Sequence, residues 1–198
     1  MLPSQFPEFK AYPAVHNFVT YHLDMQFDDV RGMMKLPLPE VGIRAGCNFG
    51  AAATLCNLIS GISRVLSMPK DPKSGSGKRF KELLEEFYPW EPGEKKAEKA
   101  KVIYDLVRNP LGHSLGVLKK SSLPISIAKR PLTEAQLEEI ENSSVRPTWV
   151  PLAVTGGPTK YVLSVVGLYW GVFHLVWRLA KNAKQVQQAE DSIAKGKI

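Results

Sequence analysis

The chain has 198 residues, enough for one domain with a sizeable core. Its hydrophobic share of 44% and charged share of 23% are ordinary for a globular protein, and two cysteines exclude a disulfide framework. A formal net charge of +7 favours anionic partners such as nucleic acid or a membrane surface, although a positive surface on a soluble protein gives the same figure.

In chain order, Met1 to Lys10 has no charged start followed by an apolar run, so no signal peptide is expected. Residues 15–31 carry two patterns. Val19, Tyr21, Leu23, Met25 and Phe27 alternate as in a strand, whereas Val15, Phe18, Val19, His22, Gln26 and Val30 follow a helical spacing; the length favours helix. The prolines within residues 35–39 break any regular element. The clearest early helix is expected over residues 45–67, with Ala52, Leu55, Cys56, Ile59, Ile62 and Leu66 as its apolar stripe. Its glycines, Gly46, Gly50 and Gly61, suggest close packing against another backbone. Cys47 and Cys56 fall in this stretch. Nine helical residues turn through about 900° and rise about 13 Å, so the two cannot pair and read as small buried residues in a reducing cytoplasm.

Residues 70–78 read as a solvated linker. Ser76-Gly77-Lys78 lacks the first glycine, the following Ser or Thr and the preceding strand of a phosphate loop. A short amphipathic helix follows through Phe80, Leu83, Leu84 and Phe87, and a further helix is expected over residues 95–108. The lysines of the latter, offset by Glu94 and Glu98, read as a solvated face. Residues 122–157 depart from the helical pattern and read as a small β-hairpin insertion. Strands are expected around Ile125–Ile127 and over residues 148–155, with a capping box, Thr133 to Gln136, opening a short helix between them. A long helix is expected from Thr159 to about Ala189, with Gly167 and Gly171 letting another helix approach, and a frayed tail over residues 190–198. Residues 161–177 lack Asp, Glu, Lys and Arg. Seventeen residues is short for a span of about 20, so a buried helix is favoured over a membrane segment.

Chemistry converges at one place, Arg108-Asn109-Pro110-Leu111-Gly112-His113. Asn109 is a favoured N-cap and Pro110 a favoured first helical residue, which predicts a helix break between Arg108 and His113. Such a break could turn both side chains into one pocket and offer free N–H groups to a phosphate. Arginine can hold phosphate charge and histidine can move a proton near neutral pH, the parts needed to cleave RNA through its 2′-hydroxyl. An alternative keeps all three structural: Arg108 paired with Asp105, Asn109 a cap, His113 bonded to a carbonyl. The four histidines show no metal-ligand spacing, so neither metal nor cofactor is expected, and His174 among aromatic residues reads as a core residue.

The Arg-Asn-Pro-Leu-Gly-His run resembles the signature of the HEPN superfamily, an arginine followed by a polar residue and then a histidine after four to six intervening residues. The resemblance covers about residues 45–118. It implies an α-helical bundle, usually dimeric, and in many members a metal-independent ribonuclease whose cleft is formed by both protomers. Carried onto this chain, it implies that Arg108 stabilises the scissile phosphate, Asn109 orients the site and His113 transfers the proton. The expected protein is therefore a mainly α, HEPN-like helical bundle in one domain with a β-hairpin insertion, a cytoplasmic homodimer acting on RNA. A protein antitoxin or regulator is a further expected partner. A non-catalytic helical dimer acting as an interaction module is the alternative, and a membrane-associated protein a weaker one.

Overall fold

Residues 15–31 are helical throughout, and core packing decides between their two patterns. The computed structural model describes residues 2–37, 47–67, 74–114 and 125–196, without the side chains of residues 112–114. A 3-10 turn (Pro3–Gln5) and the short helix α1 (Pro7–Lys10) lead into α2 (Pro13–Phe18), a π-helical turn (Val19–Asp24) and α3 (Met25–Lys35), the last three following without interruption. Val15, Val19, Leu23 and Phe27 are buried at four-residue intervals, followed by Val30 and Met34. In a regular α-helix each four-residue step overshoots one turn by about 40°. The wider π-turn takes up that drift and keeps the stripe on one side. Leu23 and Phe27 are therefore core residues, whereas His22 is exposed.

Helix α4 (Asn48–Val65) packs against α3, α5 (Ser76–Phe87) and α9 (Val165–Ala180). All six residues of its expected stripe are buried, and so are Phe80, Leu83, Leu84 and Phe87 of α5. Close backbone approach fails as an account of Gly61, which faces open space; Gly46 lies outside the described residues. Ser76, Gly77 and Lys78 form the first turn of α5, not the end of a linker.

The β region is present but shifted. Strands β1 (Ile125–Ala128), β2 (Val154–Gly157) and β3 (Lys160–Ser164) form one sheet in the order β1-β3-β2, with β3 parallel to β1 and antiparallel to β2. Between them lies α8 (Glu134–Asn142), opened by the expected capping box: Thr133 Oγ1 accepts from Gln136 N at 3.3 Å, and Gln136 Oε1 accepts from Thr133 N at 3.0 Å. The hairpin is β2–β3, so the insertion extends past residue 157 and the long helix starts at Val165, not Thr159. Tyr161 and Val162 favour a strand, and Ser164 stops it by accepting from Gly167 N at 3.1 Å as the N-cap of α9. At the other end, Asn182 caps a separate helix, α10 (Ala183–Ala194). The tail expected to fray from residue 190 is helical through Ala194, and Glu190 accepts from Ala14 N and Val15 N at 3.1 and 2.8 Å.

The protein is thus mainly helical with a small mixed sheet, gathered around α9. Val165 to Val176 are all buried, and among the described residues no helix is long and apolar enough to cross a membrane. Tyr88 fills the glycine notch of α9. A Cβ on Gly171 would lie 2.0 Å from its ring, and its hydroxyl donates to Gly167 O at 3.0 Å. That face therefore needs no second protomer. Helix α8 satisfies two polar groups of α9: Tyr169 Oη donates to Glu141 at 2.5 Å, and His174 Nε2 bonds Ile140 O at 3.1 Å. Glu141, fully buried, also pairs with Arg31 of α3, which reaches Glu134 as well.

Gly171→Ala is expected to lower unfolding stability by about 3 kcal/mol, since the ring cannot be displaced without giving up its hydrogen bond. Gly61→Ala, in open space, should raise it by up to about 1 kcal/mol; urea denaturation of both variants checks the pair. Burial holds His174 below its ordinary value of 6.5. The unfolded chain therefore takes up a proton before the folded one does. The contribution of His174 is complete above pH 6.5 and is lost as pH falls through the folded value. Denaturation midpoints should decline in that window, and less so in His174→Gln, whose amide can keep the bond to Ile140.

Candidate functional site

The helix that carries the motif is built in three pieces: α6 (Lys96–Val102), a second π-helical turn (Ile103–Arg108) and α7 (Asn109–Ser114). Asn109 has φ −67° and ψ −49°, and its N–H bonds the carbonyl of Tyr104, five residues back. The expected break is therefore absent. Asn109 does not cap, Pro110 does not open a new helix, and no free helix N-terminus is available there for a phosphate. Pro110 explains the geometry. In a regular α-helix its ring would clash with the carbonyl of Leu106, and widening the turn relieves the clash without ending the helix. Val107 and Pro110 are both buried, so packing holds the chain in helical register across the proline.

Arg108 ends the π-turn half-buried. Its guanidinium lies over the Tyr104 ring at 5.6 Å. Tyr104 is held in turn by Phe80 at 5.4 Å between ring centres and by Gly77, where a Cβ would lie 2.5 Å from the tyrosine hydroxyl. The stack fixes an otherwise flexible cation over an aromatic face. Arg108 also lies near enough to α4 for its charge to act on Cys56, whose thiol burial pushes up to about 12 against the pull of that charge. Asp105, the partner considered for Arg108, pairs with Lys101 at 2.6 Å.

Asn109 is exposed beside Arg108. The backbone of His113 belongs to α7, but its side chain lies outside the described residues, and with it the question of a shared cleft. Five α-helical steps place positions 108 and 113 about 140° apart around the axis. On the N-terminal side of the motif, α6 and the hairpin bound a groove of about 520 Å³. Lys95, Lys101 and Tyr161 line it, together with Glu98 and Asp105, which pair with the lysines at 3.4 and 2.6 Å. The lysines thus form a charge-balanced face, as expected. Tyr104 is the site residue that sequence reasoning missed. Its only signal was its position four residues before Arg108, where a helix brings an aromatic ring and a cation together.

Among the described residues no cluster of three His, Cys, Asp or Glu could hold a metal ion. Compared with known proteins, the chain matches no family model, no curated protein sequence and no solved structure.

Packing of the motif helix on α4 has a chemical readout. Cys47 is half-buried at the start of α4, with a left-handed φ of 51°, whereas Cys56 is 1% exposed. A disulfide reagent is expected to modify one thiol per native chain rapidly and none in Cys47→Ser. Fast labelling of Cys56 would mean that α4 does not pack as described.

Proposed function

We propose that the protein is a HEPN-like, metal-independent endoribonuclease, a homodimer whose motif helices, each running from Arg108 to His113, line a shared cleft. The observation that carries this reading is that the π-helical turn ending at Arg108, which Pro110 accounts for sterically, presents an arginine braced on Tyr104 next to an exposed asparagine. The angle of about 140° between positions 108 and 113 favours a two-chain cleft over a single-chain one, since a partner's histidine can meet an arginine that its own helix turns away from.

The chemistry is a transesterification. His113 takes the proton of the ribose 2′-hydroxyl, the O2′–P bond forms, the P–O5′ bond breaks, and the 5′-oxygen leaves, taking a proton from water. Arg108 offsets the charge that builds on the non-bridging phosphate oxygens, and Asn109 orients them. The products are a 2′,3′-cyclic phosphate and a 5′-hydroxyl. The net charge of +7 supports attraction to a polyanion. A protein antitoxin or regulator would act by covering this cleft.

Purified protein is expected to cut RNA in the presence of EDTA and to leave 2′,3′-cyclic phosphate ends. His113→Ala should slow cleavage about 10²- to 10⁴-fold and Arg108→Ala about 10²- to 10³-fold, with far-UV circular dichroism unchanged. Cleavage that survives His113→Ala would remove that residue from the mechanism. RNA binding without cleavage would instead support a non-catalytic interaction module.

A further inference from the structure

Helix α9, the turn after α5 and the segment Ser144 to Arg146 border a half-open cavity of about 190 Å³ that the ribonuclease reading does not use. Trp90, Trp170, Trp177 and His174 supply its rings, and Arg146 and Arg178 its guanidinium groups. The His174 ring lies 4.9 Å from that of Trp170 and 6.0 Å from that of Trp177. A second cavity of about 120 Å³ shares Ser144, His174 and Trp177 with it.

Three features mark it as a site and not a packing fault. First, Trp170 is 5% exposed, and its buried Nε1–H has no hydrogen-bond partner among the described residues. Leaving such a donor unmade costs about 1–3 kcal/mol, and Trp90 shows the usual remedy by donating to Leu84 O at 2.7 Å. Second, the bond from His174 to a carbonyl requires the proton on Nε2. Nδ1 of the neutral ring is then an acceptor. Third, the charges do not cancel. Arg146 is balanced by Glu91 at 2.8 Å, but among the described residues the lining holds no second carboxylate for Arg178, and Lys181 Nζ sits 3.5 Å above the Trp177 ring. Arg178 spends one N–H on Tyr88 O at 3.4 Å and is otherwise exposed.

We propose that this cavity binds a small planar aromatic carboxylate of one or two rings. The ligand's ring would stack on the tryptophans and its carboxylate would take the N–H groups of Arg178. An acceptor would satisfy Trp170 Nε1, and a ring hydroxyl or N–H would donate to His174 Nδ1. Pockets for drug-sized ligands run from about 300 Å³ upward, so the volume selects a small acid over a nucleotide or a peptide. The site shares no residue with the Arg108 motif and stands or falls independently of the ribonuclease.

The test is calorimetric titration of the full chain with 4-hydroxybenzoate, with phenol and benzamidine as the uncharged and cationic counterparts. Saturable binding of 4-hydroxybenzoate is expected, at least about tenfold tighter than that of either counterpart. Arg178→Gln, a change at an exposed position, should weaken it about tenfold without moving the melting temperature. Trp170→Phe, which keeps a ring and removes the donor, should weaken it by a similar factor. No saturable binding up to about 10 mM would overturn the proposal. So would benzamidine binding as tightly as the acid, or an unchanged affinity in a folded Arg178→Gln protein.

Discussion

The fold depends on burying α9 on every side. A helix that is apolar all round cannot lie on a surface, so the other elements must enclose it. On one flank Phe27 and Phe6 meet it edge-on: Phe27 lies 5.7 Å and Phe6 also 5.7 Å from Phe173, and Phe27 lies 6.0 Å from Tyr169. On another, Tyr88 occupies the groove at Gly171. The loop before the hairpin presses so closely on Gly167 that a Cβ there would lie 2.3 Å from Pro151 O. Enclosure forces a polar settlement as well. Tyr169 cannot reach water and His174 Nε2 faces α8, so α8 must lie alongside with Glu141 and the Ile140 carbonyl. Burying Glu141 in turn draws Arg31 across from α3. One apolar helix thus fixes the positions of α3, α8, the loop carrying Tyr88 and the hairpin.

Where the sequence had one dominant period, it was legible. The stripes of α4 and α5 and the capping box of α8 depend on local spacing and local chemistry, and each was expected correctly. The boundary between β3 and α9 was not, because residues 161–166 are apolar and β-favouring while residues 165–176 are buried on all faces. Neither stretch shows an amphipathic period, and an unbroken apolar run does not say where a strand becomes a helix. The signal was Ser164, a small capping residue inside that run. It falls inside the helix expected from Thr159, though it begins the one observed.

At the motif the failure was of a different kind. Asn109-Pro110 is a sound local signature of a helix start, yet Val107 and Pro110 both bury on the same side only if the helix continues. Tertiary packing overrode the local preference, and the π-turn is the compromise, keeping the helix while clearing the proline ring. Nothing in the spacing of residues 96–108 announces it. The same device at residues 19–24 accommodates a four-residue stripe, so the two wide turns resolve two different conflicts, core spacing in one and a proline ring in the other. Arg108 and Asn109 do sit side by side, but their presentation comes from the widened turn and from Tyr104, not from a break.

The glycines of α9 bear on the quaternary reading. A small-residue notch on an apolar helix can admit either a neighbouring helix or a large ring from the same chain, and the two have opposite consequences. Here the ring is Tyr88, seated so deeply that burial carries its hydroxyl well above the ordinary tyrosine range while it donates to Gly167 O. A second protomer would have to displace both the ring and that bond, losing an aromatic contact and exposing a carbonyl with no partner. Dimerisation through α9 is therefore disfavoured. A dimer would have to use surface that the fold leaves uncovered, and the two-chain cleft proposed around Arg108 would require that surface to include α7.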